Sequence, residues 1–232
     1  MLAVDGVDAG YGDATVLQGV SLSVKAAEAV ALLGRNGAGK TSTMRCIVGL
    51  LRARAGRVVF DGDDITGLRP HVVARRGISF VPDDRRIFPE LTVEENLEIA
   101  RRATRRRGDW DVARVYELFP VLSDYRRRGG TQLSGGEQKM LATGRALVQN
   151  PRLLLMDEAS EGLAPKIVQK FVEALREISA SGITVLLADQ NLKFARKVAD
   201  RGYIMDKGRI EHEGEMETIW SDEALVRRYL SV

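Results

Sequence analysis

Apolar and polar residues alternate over 2–7 and 16–24, the period-two pattern of half-buried strands. Between them Gly10 and the pair Gly12-Asp13 mark a turn, with Tyr11 inside it. Farther on, the runs 29–33, 153–156 and 183–188 are almost continuously apolar, as in strands covered on both faces. Shorter strands are expected at 56–60 and 78–81, and a hairpin where 202–205 meets 209–212 through Lys207-Gly208. Helical signals lie between these runs. Thr92 and Glu95 form a capping box ahead of an apolar face at Leu97, Ile99 and Ala100. Pro70 opens a short helix to 76, and Pro165 a longer one to about 179. Further helices are expected over 43–50, over 110–119 where Pro120 limits it, and from Ser134 to about 148. A last amphipathic stretch carries Ala224, Leu225, Val226, Tyr229 and Leu230. Strands interleaved with helices predict an α/β fold.

The sharpest chemical signal sits between the strand at 29–33 and the helix at 43–50. Gly34-Arg35-Asn36-Gly37-Ala38-Gly39-Lys40-Thr41-Ser42 matches a glycine-rich phosphate loop, in the strand–turn–helix setting that motif requires. Its glycines let backbone N–H groups approach phosphate oxygens that a side chain would keep away. Lys40 is expected to reach the β- and γ-phosphates, and the Thr41 hydroxyl to sit on the Mg²⁺ that bridges them. A nucleoside triphosphate site is the first expectation. The run 153–156 then ends in Asp157 and Glu158. At a strand end beside the phosphate loop, Asp157 is placed to hold Mg²⁺ through water and Glu158 to deprotonate an attacking water. The plainer alternative is two acids capping the next turn.

Composition narrows the class. The chain of 232 residues fits one sizeable domain, with no room for a second independent one. An apolar share of 44% and a charged share of 29% suit a globular protein in water rather than a disordered or membrane-embedded chain. The apolar runs are far too short to span a bilayer, and Asp5 and Asp8 interrupt any leader-like core near the N-terminus. The single cysteine, Cys46, excludes internal disulfides and zinc ribbons, and is expected as a small buried apolar residue. The net charge of +3 is modest, yet Arg101, Arg102, Arg105, Arg106 and Arg107 are bunched. Such a run is either a solvated helix end or a contact for lipid headgroups or nucleic acid, and no aromatic residue interleaves it to favour nucleic acid. The expected location is the cytoplasm, with any membrane role resting on partners.

Two further stretches keep two readings each. Tyr11 either stacks on a nucleobase or is a partly exposed turn tyrosine. Leu133-Ser134-Gly135-Gly136-Glu137-Gln138 opens a helix, with Ser134 as N-cap and Glu137 reaching back from N3. With a free hydroxyl and two glycines at a helix N-terminus, it is also a candidate anion site.

In chain order, Tyr11, the loop 34–41, Asp83, 133–138, 155–158, 160–164 and Gln190 resemble the ATP-binding subunits of ABC transporters over essentially the whole chain. The most specific element is 133–138, which looks like that family's signature loop. Arg85-Arg86-Ile87-Phe88-Pro89, Val115-Tyr116-Glu117-Leu118-Phe119-Pro120 and Ser160-Glu161-Gly162-Leu163-Ala164-Pro165 resemble the subunits of branched-chain amino acid importers. Gln190-Asn191-Leu192-Lys193-Phe194-Ala195 also resembles urea importer subunits.

The resemblance implies a P-loop NTPase core with a mainly parallel sheet, an N-terminal antiparallel β subdomain and a helical signature subdomain at about 85–148. All of this forms one ATP-binding domain over 1–232, closed by a hairpin strand and helix at about 209–232. It implies an ATP hydrolase at the cytoplasmic face of the cell membrane, powering import of branched-chain amino acids or, alternatively, of urea or short-chain amides. ATP and Mg²⁺ are the implied ligands, held by Tyr11, by Gly34 through Ser42, and by Ser134, Gly135 and Gly136. Two copies, identical or homologous, are expected head to tail, the phosphate loop of one facing Ser134 and Gly136 of the other. Integral permease subunits would meet 83–97 and 126–132, and a solute-binding protein would act indirectly through them. Glu158 takes the role of base, with Asp157 and Thr41 at the metal.

Several positions depart from the family pattern: Ala159 replaces a usual Pro, and two others bear on the site. Asp83 stands where most members carry a Gln that contacts metal and attacking water; the shorter acid would reach Mg²⁺ through water or after moving. Gln190 replaces a His at the γ-phosphate, where it donates a hydrogen bond but does not titrate. Both are common in the branched-chain group, and both are kept as catalytic candidates, Asp83 also for the metal. A soluble ABC-type ATPase acting on nucleic acid or ribosomes is the rival of another class; it would need paired cassettes or a long insertion, and the chain has room for neither. A small-molecule kinase conflicts with the signature loop and Glu158.

Overall fold

The computed structural model describes residues 1–104 and 106–230, so Arg105 of the arginine run and the last two positions of the C-terminal segment lie outside the described residues. Strands β1 (Leu2–Tyr11) and β2 (Ala14–Val24) pair antiparallel through a two-residue turn. The ladder runs further than the alternation suggests: Tyr11 is the last residue of β1, opposite Ala14, and only Gly12-Asp13 turn. Gly10 permits this, because a Cβ there would overlap the Ala14 carbonyl. Strand β4 (Ala53–Phe60) flanks β1 on the other side, and β5 (Asp63–Asp64) follows Asp61-Gly62, where both residues hold φ > 0 as a tight hairpin turn demands.

The second sheet is built from β3 (Ala29–Leu33), β6 (Ile78–Val81), β7 (Leu153–Asp157), β8 (Thr184–Asp189), β9 (Arg201–Asp206) and β10 (Arg209–Glu215), in the order β10-β9-β3-β8-β7-β6. Its pairs are parallel except β9 with β10. The apolar runs now explain themselves, since every residue of β3, β7 and β8 is buried. Alternate side chains serve two cores. Ala29, Ala31 and Leu33 face the helices α3 (Val93–Ala103), α4 (Val112–Leu118), α6 (Gly135–Leu147), α7 (Pro165–Ala180) and α8 (Leu192–Val198). Val30 and Leu32 face the antiparallel sheet, with α1 (Lys40–Ile47) and α2 (Pro70–Arg75) between. Each fully buried Val, Leu or Ile contributes about 1.5–3 kcal/mol, so a central strand filling both cores is the most costly place for a polar residue.

Some helix limits differ from the sequence pattern. Helix α1 starts at Lys40, three residues before the expected 43, and ends at Ile47. It stops because Gly49 takes φ 74 with the Leu68 carbonyl against it. Pro120 ends α4 and also opens α5 (Pro120–Asp124), since a proline at the first helical position needs no N–H. Helix α8 and α9 (Met216–Ser221) were not foreseen, whereas α10 (Glu223–Tyr229) falls on the expected amphipathic stretch. Among the described residues no helix is long and apolar enough to cross a membrane.

Candidate functional site

Strand β3 runs straight into residues 34–39, and these into α1. The loop has no room for side chains at two of its glycines. A Cβ on Gly34 would overlap the Met205 carbonyl oxygen, and one on Gly39, at φ 113, would lie 2.8 Å from the Met205 methyl. The turn of the β9–β10 hairpin props the loop from beneath: Gly208 N donates to Ala38 O at 2.8 Å, and Gln18 N to Gly208 O at 2.9 Å. Lys40 is 5% exposed, with Nζ donating to the carbonyls of Gly34 at 2.7 Å and Arg35 at 3.0 Å. Burial pushes its pKa down, while Glu158, Asp157, Asp189 and Glu161 pull it back up. The ammonium is therefore held by two loop carbonyls and feels the charge of four acids.

One cavity is lined by Asn36, Gly37, Gly39, Lys40, Thr41 and Ser42 together with Val16 and Glu158. The strand end of β7 thus meets the phosphate loop, as expected. Asp157 is fully buried, and neither of its carboxylate oxygens has a hydrogen-bond partner among the described residues. Burial raises its pKa. The nearby Thr41 hydroxyl favours the ionised form without donating a full hydrogen bond, Asp83 disfavours it, and Lys139 and Lys40 favour it. A buried carboxylate without donors is costly. Two bare oxygens beside a threonine hydroxyl are a fitting environment for a hard divalent cation. Among the described residues no group of three or more His, Cys, Asp or Glu forms a metal cage, so such an ion would draw its other ligands from water and phosphate.

Glu158 holds φ 47, a left-handed conformation uncommon outside glycine. Its carboxyl is pushed up to about 7, first by its hydrogen bond with Glu161, then by burial and by the charges of Glu161, Asp157 and Asp83. A base poised near neutrality has this property. Asp83 lies exposed in the turn after β6, close enough for its charge to bear on both Asp157 and Glu158. Gln190 is exposed one residue past β8. Its neighbour Asp189 is 2% exposed and accepts from Ser160 N at 2.8 Å, Ser160 Oγ at 3.0 Å and Asn191 N at 2.8 Å. Tyr11 is 47% exposed, and its hydroxyl accepts from Arg45 of α1 at 3.4 Å, which sets the ring beside the helix that follows the phosphate loop.

The second glycine-rich device stands elsewhere in the chain. Ser134 caps α6 with the reciprocal bonds expected: Ser134 N donates to Glu137 Oε2 at 2.7 Å, and Glu137 N to Ser134 Oγ at 3.4 Å. Gly135 faces the Arg85 guanidinium, which donates to Gln138 at 3.0 Å, and Gly136 packs against Ile167. None of Ser134, Gly135 and Gly136 lines the phosphate-loop cavity.

Lys139 and Asp189 escaped sequence reasoning, which held Ser160 only as the start of the run 160–165. Lys139, 2% exposed, donates to the carbonyls of Asp157 and Glu158, both at 2.9 Å. One signal was available: Lys139 shares a helical stripe with Gly136 and Thr143, one turn to either side, where a solvated lysine is out of place.

The profile of the ABC transporter family matches residues 17–161, more than half of the chain. Over 213 residues the chain is 44% identical to the high-affinity branched-chain amino acid transport ATP-binding protein BraG of Pseudomonas aeruginosa, covering 90% of this chain and 91% of that protein. It is 37% identical to the lipopolysaccharide export system ATP-binding protein LptB of Haemophilus influenzae, over 99% of this chain and 97% of that one. Among solved structures, the dimeric structure of MJ0796, a bacterial ABC transporter cassette, superposes with a TM-score of 0.82 at 26% identity, covering 93% of this chain and 99% of that chain.

Proposed function

Because the chain belongs to the ABC transporter family, whose ATP-binding subunits hydrolyse ATP to power transport, we propose that it drives an importer of branched-chain amino acids from the cytoplasmic face of the membrane. The observation that carries the ATPase site is the buried Asp157 with two bare oxygens, next to Thr41 and to a Glu158 that lines the phosphate-loop cavity. Thr41 and Asp157 would hold magnesium, with Asp83 acting through water. The ion, when bound, neutralises charge on the β- and γ-phosphate oxygens. The backbone N–H groups of 34–41 cradle the phosphates, and Lys40 swings from the Gly34 and Arg35 carbonyls onto them. Glu158 accepts the proton of the attacking water, and its ionised fraction grows as pH rises through about 7. Gln190 donates a hydrogen bond to the γ-phosphate, and Tyr11 stacks on the base.

The separation of Ser134 and Gly136 from the phosphate loop supports a site completed by a second copy, and the dimeric MJ0796 cassette is similar in fold. In such a pair the two anion-binding helix starts, of α1 and α6, face one triphosphate from opposite sides. ATP then favours the closed pair; shifting a mostly open equilibrium to a mostly closed one takes about 5.5 kcal/mol of differential binding. The stretches 83–97 and 126–132 are the part we assign to permease contact.

Glu158→Gln should retain ATP binding, abolish turnover and accumulate dimers in gel filtration; turnover at the parent rate would remove Glu158 from the role of base. Loss of labelled leucine uptake in a deletion strain supports the cargo, whereas normal leucine uptake overturns it. The similarity to LptB supports a second reading, export of lipopolysaccharide, and co-purification of the membrane partner separates the two.

A further inference from the structure

The buried ammonium of Lys139 has a placement that packing alone does not require. It lies on α6, five residues beyond the Ser134 N-cap and 2% exposed, with Nζ 2.9 Å from Asp157 O and 2.9 Å from Glu158 O. Burying an ammonium is expensive, and an apolar side chain would fill the same space at less cost. Those two carbonyls belong to the peptide planes on either side of the Glu158 Cα. Bonding both from one point restrains φ and ψ of Glu158 together, and so fixes the direction of its Cα–Cβ bond. Restraint matters here because Glu158 sits at φ 47, where a non-glycine residue persists only when its surroundings hold it. The Glu161 N–H, 3.2 Å from Glu158 O, is a longer bond within the same turn and comes from a neighbour in the chain rather than from another element. Farther along the segment, Asp189 secures Ser160 N and Oγ. The stretch 157–160 is therefore anchored at one end by β8 and at the other by the helix that begins with the signature loop.

We infer that Lys139 is a positioning residue for ATP hydrolysis: it sets the aim of Glu158 and ties that aim to helix α6, whose first residues are to meet the other copy's nucleotide. The inference rests on the proposed role of Glu158 as base. Through this link, a shift of α6 on engaging the partner's triphosphate moves the peptide planes of Glu158 in its own chain.

The test is steady-state hydrolysis of Mg-ATP by the full chain and its Lys139→Met and Lys139→Gln variants, with ATP affinity and thermal unfolding measured beside it. Methionine keeps the length and removes every donor. Its kcat should fall ~10²-fold, the cost of a small misplacement, with ATP affinity within ~3-fold of the parent. Glutamine restores one N–H donor without the charge and should recover ~10-fold of the loss. If Lys139→Met lowers only the unfolding midpoint and keeps the parent kcat, Lys139 is a packing residue and the inference is overturned. A parallel loss of ATP affinity would place the fault in the phosphate loop and overturn it as well. Should the methionine variant not fold, Lys139→Gln decides: a kcat ~10-fold below the parent at unchanged ATP affinity supports donor-based positioning, whereas a parent-like kcat assigns Lys139 to packing and a ~10²-fold loss with the fold intact assigns the effect to charge, and either overturns the inference. Glu158→Gln assayed alongside separates the two readings, because turnover in that variant refutes the base itself, whereas an inactive Glu158→Gln beside a parent-like Lys139→Met refutes only the positioning.

Discussion

Arg201 is one of the places where the two sheets are joined, and its removal has a calculable effect. The guanidinium, 9% exposed, donates to Glu28 at 2.5 and 3.1 Å, to the Tyr203 hydroxyl and to Glu213 at 2.8 Å each, and to the Ser23 carbonyl at 2.6 Å. It therefore links β9 to the end of β2 and to the turn that leads into β3, the strand feeding the phosphate loop. Arg201→Met keeps most of the bulk and strands the Glu28 carboxylate, whose side chain is 15% exposed. Breaking a buried pair from one side costs about 3–5 kcal/mol, and the open edge at Glu28 puts this case near about 3. At about 2–4 °C per kcal/mol for a chain of this size, the unfolding midpoint in calorimetry should fall about 6–12 °C. Adding Glu28→Leu removes the stranded charge and should recover at least half of the loss, since replacing both partners by apolar groups is often neutral. The pH dependence follows from Glu28. Burial opposes its ionisation, but the hydrogen bonds from Arg201 and the Lys25 N–H, with the charges of both residues, outweigh that and hold the carboxyl below the usual range. A depressed carboxylate contributes stability that is present above its unfolded pKa, about 4.3, and lost as pH falls through the folded value. The parent should thus lose more stability than Arg201→Met on acidification from about pH 5 to about pH 3, and the two should converge. A midpoint within about 1 °C of the parent, a double variant weaker than the single, or a gap that widens in acid would each refute this account.

Two other outcomes follow from the site. In the nucleotide-free chain, Glu158 is held near about 7 chiefly by Glu161, so Glu161→Ala should draw it down toward the ordinary carboxylate range. Side-chain carboxyl NMR reads the midpoint directly, and an unmoved titration would exclude the Glu161 contact as its cause. Cys46 is 5% exposed, and burial pushes its thiol up to about 11. Native protein should resist iodoacetamide near about pH 8 while unfolded protein reacts readily; equal rates in the two states would contradict its burial.

Local chemistry made much of this protein legible in its residue order. Gly34, Gly37 and Gly39 act within a few positions of one another, and the runs ending in Asp157 and Asp189 announce buried strands by their length and composition. The capping boxes at Thr92 and Ser134 are similarly local, each closing over three residues. Tyr11 was misplaced by one step, because a strand's last residue and a turn's first differ only in a ladder bond to Ala14. Position alone did not disclose Lys139 bonding 18 residues ahead, Asp189 holding Ser160 from 29 residues away, or Arg201 meeting Glu28 across 173. Those contacts exist because the sheet sets β7 beside β8 and β3 beside β9, and because Lys139 of α6 reaches the C-terminal end of β7. The same packing sets Ser134 and Gly136 away from the phosphate loop of their own chain. Residue order thus sufficed where a group's partner lies within a turn or a strand, and folding decided the rest, since long-range contacts follow from strand order and burial rather than from spacing.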